Sequence, residues 1–230
     1  MKEMLCESVF FGVMVSILMY ELGIFLKKKF RLALFNPLLV SVIAVMGVLL
    51  VFQVDYDAYY EGAQYLSYLL TPATVCLAVP LYEQIGLLKK HSRAIAGGIL
   101  SGVLTSLVSI LAMSAAFGLS HEEYVTLLPK SITTAIGMGI SEELGGMVTI
   151  TVAVIVITGV LGNMIAETVC RLFRIEEPVA RGIAIGSAAH AIGTAKAMEL
   201  GEVEGAMSSL SIAVAGLVTV AAASLFAGFL

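Results

Sequence analysis

The residues best suited to chemistry lie in two glycine-rich stretches, LLPKSITTAIGMGISEELGG (127–146) and ARGIAIGSAAHAIGTAKAMELGE (180–202). The first holds Lys130, Ser131, Thr133 and Thr134 just after Pro129, and the second holds Ser187, His190, Thr194 and Lys196. An ammonium beside hydroxyls and the free N–H groups of a half-helix start satisfies a small carboxylate, and Pro129 suits such a start. A histidine exchanges a proton near neutral pH, so His190 is a candidate for proton coupling. Ionisable side chains at membrane depth are functional candidates by default. Against this stands a plainer account, in which the lysines snorkel to headgroups and the hydroxyls bond back to their own helix. Asn163, beside Gly162 in an apolar run, either lines a pathway or bonds a neighbouring helix.

Enzyme readings find no support in the same residues. There is no His-Glu-x-x-His and no histidine pair for a metal, and Gly137-Met138-Gly139 lacks the third glycine of a dinucleotide fingerprint. Ser187 and His190 stand three apart but have no nucleophile elbow and no third partner. No enzyme activity, metal or cofactor is therefore expected. Cys6, Cys76 and Cys170 are scattered in apolar stretches and read as buried small hydrophobes.

The elements that must hold these residues are membrane helices. Of 230 residues, 59% are hydrophobic and 13% charged, about half the charge of a soluble domain. That excludes a water-soluble domain, a disordered chain and a basic nucleic-acid binder. Apolar runs place spans at about 8–26, 33–52, 64–87, 93–118, 147–170 and 207–230. Asn36-Pro37 opens the second, and Thr71-Pro72 and Pro80 break the third. Two glutamates in MKEMLCES, and no small-residue cleavage site after the first run, argue for a retained span over a removable signal peptide.

Ten of the 13 Lys and Arg residues fall in three clusters, Lys27 to Arg31, Lys89 to Arg93 and Arg171 to Arg181. Basic loops mark the cytoplasmic side, which puts the N-terminus outside a cytoplasmic (inner) membrane. If the third cluster is also cytoplasmic, 128–145 begins and ends outside and 181–199 begins and ends inside, so each is re-entrant. The competing arrangement makes both full spans and gives eight helices.

The two stretches also repeat one another. Ala135-Ile136-Gly137 with Glu143-Leu144-Gly145 matches Ala191-Ile192-Gly193 with Glu199-Leu200-Gly201 at an offset of 56, and Ser101-Gly102-Val103-Leu104 matches Thr158-Gly159-Val160-Leu161 at 57. Glu122-Glu123 and Glu176-Glu177 occupy similar places. Inverted repeats carrying Gly-interrupted segments at matching positions are the sequence mark of a secondary transporter's binding site. The expected fold is an all-α integral membrane protein with about six transmembrane helices and two re-entrant or broken segments in an inverted-topology repeat. It is read as one membrane domain, 1–230: N-terminal helices 1–87, repeat units 93–146 and 147–202, and a last helix 207–230. The two dips are expected to meet near the midplane, with Lys130, Ser131, Thr133 and Thr134 facing Ser187, His190, Thr194 and Lys196 across one substrate.

Asn36-Pro37-Leu38-Leu39, TPATVCLAVPLYEQ (71–84) and the two glycine-rich stretches resemble the LrgB/CidB membrane proteins, known also as antiholin-like proteins or murein hydrolase regulators. The likeness covers nearly the whole chain. It implies two functions. One is regulation of holin-like pores that control murein hydrolase export and lysis. The other is transport of small 2-hydroxy or 2-oxo monocarboxylates such as pyruvate, glycolate or glycerate, as in the similar C-terminal half of plastidial glycolate/glycerate translocators. A small LrgA/CidA-like membrane protein is the partner the resemblance implies. A homo-oligomer is allowed by the small-residue spacings, and no nucleic acid is expected.

Overall fold

A computed structural model describes residues 10–30, 35–76 and 78–230. Cys6, Arg31, Leu77 and the expected starts of the first two spans, at 8 and 33, lie outside the described residues. The described chain is helical, and it forms two compact units, Met1–Cys76 and Leu77–Leu230.

The first unit holds α1 (Phe11–Phe30), α2 (Pro37–Phe52), α3 (Tyr56–Ser67) and the short α4 (Leu70–Cys76). The α2 start follows from its sequence: the Asn36 side chain accepts from the N–H groups of Leu38 and Leu39, and Pro37 occupies the first turn, where its missing N–H is no loss. Helix α1 lies against α3, where the hydroxyls of Ser16 and Tyr59 meet at 2.7 Å. Cys76 is exposed, not buried as expected.

The expected span 64–87 is not one helix. It is divided among the end of α3, α4, α5 (Ala78–Glu83) and the start of α6 (Ile85–Phe117). Pro72 and Pro80 each fall near the start of a short helix. Proline tolerates that position and disrupts the turn before it.

The second unit continues with α7 (His121–Leu127), α8 (Thr134–Glu143), α9 (Val148–Leu172), α10 (Pro178–Leu200) and α11 (Glu202–Ala227). Among the described residues, α6, α9 and α11 are long and apolar enough to cross a membrane, and α2 is a shorter apolar helix of 16 residues. The long helices give the unit its core: Ile99, Val103, Leu107 and Ile110 of α6 pack with Tyr124, Val125 and Leu128 and with Ala206, Met207, Ala215 and Ala223 of α11.

Both glycine-rich stretches reverse direction. After α7 the chain leaves helical geometry and α8 returns along it. Gly137 comes back to Pro129. The Thr151 hydroxyl, at the start of α9, ties Ser141 of α8 (2.7 Å) to the Thr126 carbonyl of α7 (2.9 Å). In α10 the break is at Ala189 and His190, the latter with φ 42° and ψ −142°. A methyl on Gly193 would lie 3.2 Å from the Ile185 carbonyl, and Ile185, Ala197 and Leu200 share one cluster with Ala166. The second half of α10 therefore folds back on the first.

The two dips enter from opposite ends of α6. The first starts where α6 ends, and its tip reaches Ser106, whose hydroxyl donates to Ser131 at 3.1 Å. The second runs beside the beginning of α6, with Ile183 at Gly98 and Ser187 at Gly102. This matches the expected inverted repeat, and its two acidic pairs occupy similar places. Glu123 closes a capping box with Ser120 at the start of α7, while the Glu177 carboxylate accepts from the Ala180 N–H at the start of α10. In each copy the second glutamate satisfies helix N–H groups that would otherwise lack partners.

Candidate functional site

Where the dips approach each other on α6, a cavity of about 810 Å³ runs along that helix. His91 and Glu177 lie at one end, and Ser109, Lys130 and Ser131 at the other. One wall is a polar face of α6: Ser101, Thr105, Ser106 and Ser109 recur at helical spacing, with Gly98 and Gly102 on the same face. The opposite wall is the first half of α10, through Ala180, Ile183, Ala184 and Ser187.

Lys130 gives the deep end its charge. Its ammonium donates to the Ser131 hydroxyl at 2.8 Å, and no ion pair among the described residues includes it. Ser131 also accepts from Ser106. Two hydroxyls and an ammonium thus converge, with more N–H and O–H donors than acceptors around them. Such a centre favours an anion with oxygen acceptors. Ser187 is buried on the second dip, and its hydroxyl donates to the Ile183 carbonyl at 2.7 Å, leaving the oxygen as an acceptor.

The other predicted residues stand elsewhere. Thr133 precedes α8 as its N-cap without a side-chain cap bond, and Thr134 opens that helix; neither lines the cavity. His190 is buried on the α9 side of the second tip, 3% exposed. Its Nε2–H donates to the Ile155 carbonyl at 2.9 Å, because a carbonyl only accepts. Its positive φ is uncommon for a residue other than glycine, and the packing around it has to hold it there. That packing comes from glycines. A methyl on Gly159 would meet the His190 ring at 2.6 Å, and one on Gly102 would meet the Ser187 hydroxyl at 2.8 Å. These are the equivalent glycines of the two repeat copies, and they grip the second tip from α6 and α9.

Asn163 donates from Nδ2 to the Ile192 carbonyl at 2.8 Å, so it serves the broken backbone of α10. Thr194 donates to the His190 carbonyl at 3.0 Å and lies 2.6 Å from the Ser208 hydroxyl. Lys196 lies near the far end of the returning half-helix, 3.3 Å from Glu199 and 3.6 Å from Glu167. The structure therefore gathers Lys130, Ser131 and Ser187 at one cavity. Thr133, Thr134, Asn163, His190, Thr194 and Lys196 lie outside its lining.

Sequence reasoning missed the α6 face, Ser106 above all. Its signal was available as hydroxyls at 101, 105, 106 and 109, one stripe on the apolar part of α6 beyond Arg93.

The LrgB-like family model matches residues 16–229. The chain is 37% identical over 207 residues to the holin-like protein CidB of Staphylococcus epidermidis, covering 90% of each chain. It is 36% identical over 222 residues to the antiholin-like protein LrgB of Bacillus mycoides, covering 96% of each. No solved structure matches it. With both dips and all three long helices inside the residues that the family model matches, the chain belongs to the LrgB-like family.

Proposed function

We propose that this protein is a secondary transporter of small monocarboxylates of the 2-hydroxy or 2-oxo kind, such as pyruvate, glycolate or glycerate, in the cytoplasmic membrane. The observation that carries this reading is the Lys130 ammonium, without a carboxylate partner among the described residues, at the deep end of a hydroxyl-lined cavity between two opposed dips. A half-buried cation without a counter-ion is costly in a membrane. An anionic substrate that completes it offsets that cost only while bound, which is what a carrier requires. The proposal includes no enzymatic step and no cofactor. It keeps the basic ends of α6 and α9 at the cytoplasmic side and the N-terminus outside. It also keeps His190 as the group that couples a proton, to be taken on Nδ1 while Nε2 stays on Ile155. A small LrgA/CidA-like membrane protein is the proposed partner.

The names of the relatives favour a second reading more directly than the first: an antiholin-like regulator acting by assembly with a holin-like subunit. The two separate under one experiment. Labelled pyruvate, glycolate or glycerate is offered to proteoliposomes with and without the small partner. Saturable uptake that falls at least about 100-fold in Lys130→Gln, the loss expected when a charged contact of about 3 kcal/mol is removed, supports the carrier. Absence of uptake in both settings, with a lysis phenotype that Lys130→Gln leaves intact, establishes the regulator.

A further inference from the structure

The cavity has a direction, and its charges set what can travel along it. Its lining runs from the α6 end that carries Lys89, Lys90, His91 and Arg93 down to Lys130. Helix α6 loses helical geometry at His91 (φ −111°, ψ 19°), beside the mouth. Toward the other end of α6 the way is filled. Leu107, Ile110, Tyr124, Val125, Leu128 and Ile132 are buried in one cluster, and the Tyr124 hydroxyl fastens it by donating to the Phe226 carbonyl at 2.9 Å.

We infer that the Ser101, Thr105, Ser106 and Ser109 face of α6, with Ser187 opposite, is a hydrated entry path for singly charged anions that ends at Lys130, Ser106 and Ser131. Two observations beyond the hydroxyl stripe support it. First, the Ser106–Ser131 pair uses one of its two hydroxyl protons, and Lys130 spends one of three N–H donors on Ser131. The remaining donors suit an oxygen anion, and Ser131 is only 7% exposed. Second, the lining holds one ammonium, Lys130, and one carboxylate, Glu177, at the mouth. A monoanion is neutralised by Lys130; a dianion leaves one charge uncompensated in a region of low dielectric. The path rests on the carrier reading for its use, but its existence does not depend on transport.

Single cysteines at Ser101, Thr105 and Ser109, in a Cys6→Ser, Cys76→Ser, Cys170→Ser background, test it on purified full-length protein in liposomes. Each is reacted with a negatively and a positively charged methanethiosulfonate of similar size. The anionic reagent is expected to react about ten-fold faster relative to its thiol reactivity in solution. That preference should fall to near unity in Lys130→Gln and return in Lys130→Arg, which keeps the charge and shows that the fold is intact. Acetate should slow labelling of Ser109→Cys several-fold more than succinate at equal concentration. No labelling at the three positions, a preference indifferent to Lys130→Gln, or equal protection by succinate overturns the inference. Because labelling needs no transport, the preference with no uptake leaves the anion path standing and removes the carrier. Uptake that depends on Lys130 without the preference removes only the path.

Discussion

At the scale of single residues, the two lysines in matching stretches of the repeat have different surroundings. Lys130 has a hydroxyl for a partner. Lys196 has two carboxylates within ion-pair distance, both about half exposed. Partly exposed pairs of this kind contribute about 0–1 kcal/mol. Lys196→Gln is therefore expected to change melting temperature by no more than about 4 °C and to leave uptake within a few-fold, whereas Lys130→Gln is expected to lower it at least about 100-fold. A loss of uptake in Lys196→Gln as large as in Lys130→Gln would place Lys196 at the substrate after all. Sequence alone put both lysines on equal terms. What separates them is their neighbours in space: Glu167 comes from α9, 29 positions away in the chain from Lys196.

At the scale of elements, glycine spacing sets how closely the helices approach, and the contacts differ in what can yield. A methyl on Gly186 of α10 would lie 2.8 Å from the Cα of Ser208 on α11. Backbone cannot move aside there, so Gly186→Ala is expected to destabilise by about 1–3 kcal/mol or more. Gly98 of α6 faces only the Ile183 side chain, at 3.1 Å. A small rotamer adjustment accommodates a methyl, and Gly98→Ala should cost less than about 1 kcal/mol. Thermal unfolding in detergent compares the two, and equal shifts would refute the distinction. The small-x-x-x-small spacings at 98–102 and 182–186 thus set α6 against α10 and α10 against α11.

The capping box adds a pH term at the same scale. The Ser120 backbone N–H, followed by the Ser120 hydroxyl, holds the exposed Glu123 carboxyl below its ordinary range. A lowered folded-state pKa means the cap's contribution is present above the ordinary glutamate range. It is lost as pH falls through the lowered value. Amide exchange at the start of α7 should rise at acid pH beyond its intrinsic trend, and Glu123→Gln should remove that pH dependence.

At the scale of the whole molecule, opposed dips make a topological prediction. Glu122 and Glu142 flank the first dip, and Glu176 and Glu202 flank the second. Cysteines at the first two positions should react with an impermeant maleimide from one side of the membrane, and those at the second two only from the other. Reactivity of Glu122→Cys and Glu142→Cys on opposite sides would restore the eight-span arrangement.

Much of this was legible in the chain. Composition and the length of the apolar runs determined a helical membrane protein, because lipid requires every backbone polar group to be paired within the segment. Repeated triplets at an offset of 56 located both breaks, since the returning half-helices begin at Thr134 and just after His190. The positive-inside pattern supplied the parity from which re-entrant dips were expected. The division of the third span into short helices was visible only as prolines.

Tertiary structure decided the rest. It turned His190 toward the Ile155 carbonyl and away from the cavity, tied Asn163 to the Ile192 carbonyl, and set Ser106 against Ser131. A break in a helix fixes where the chain can turn, but not the rotation with which it resumes. That rotation is set by which glycines let a neighbour's backbone come close, and it is a property of the packed helices together.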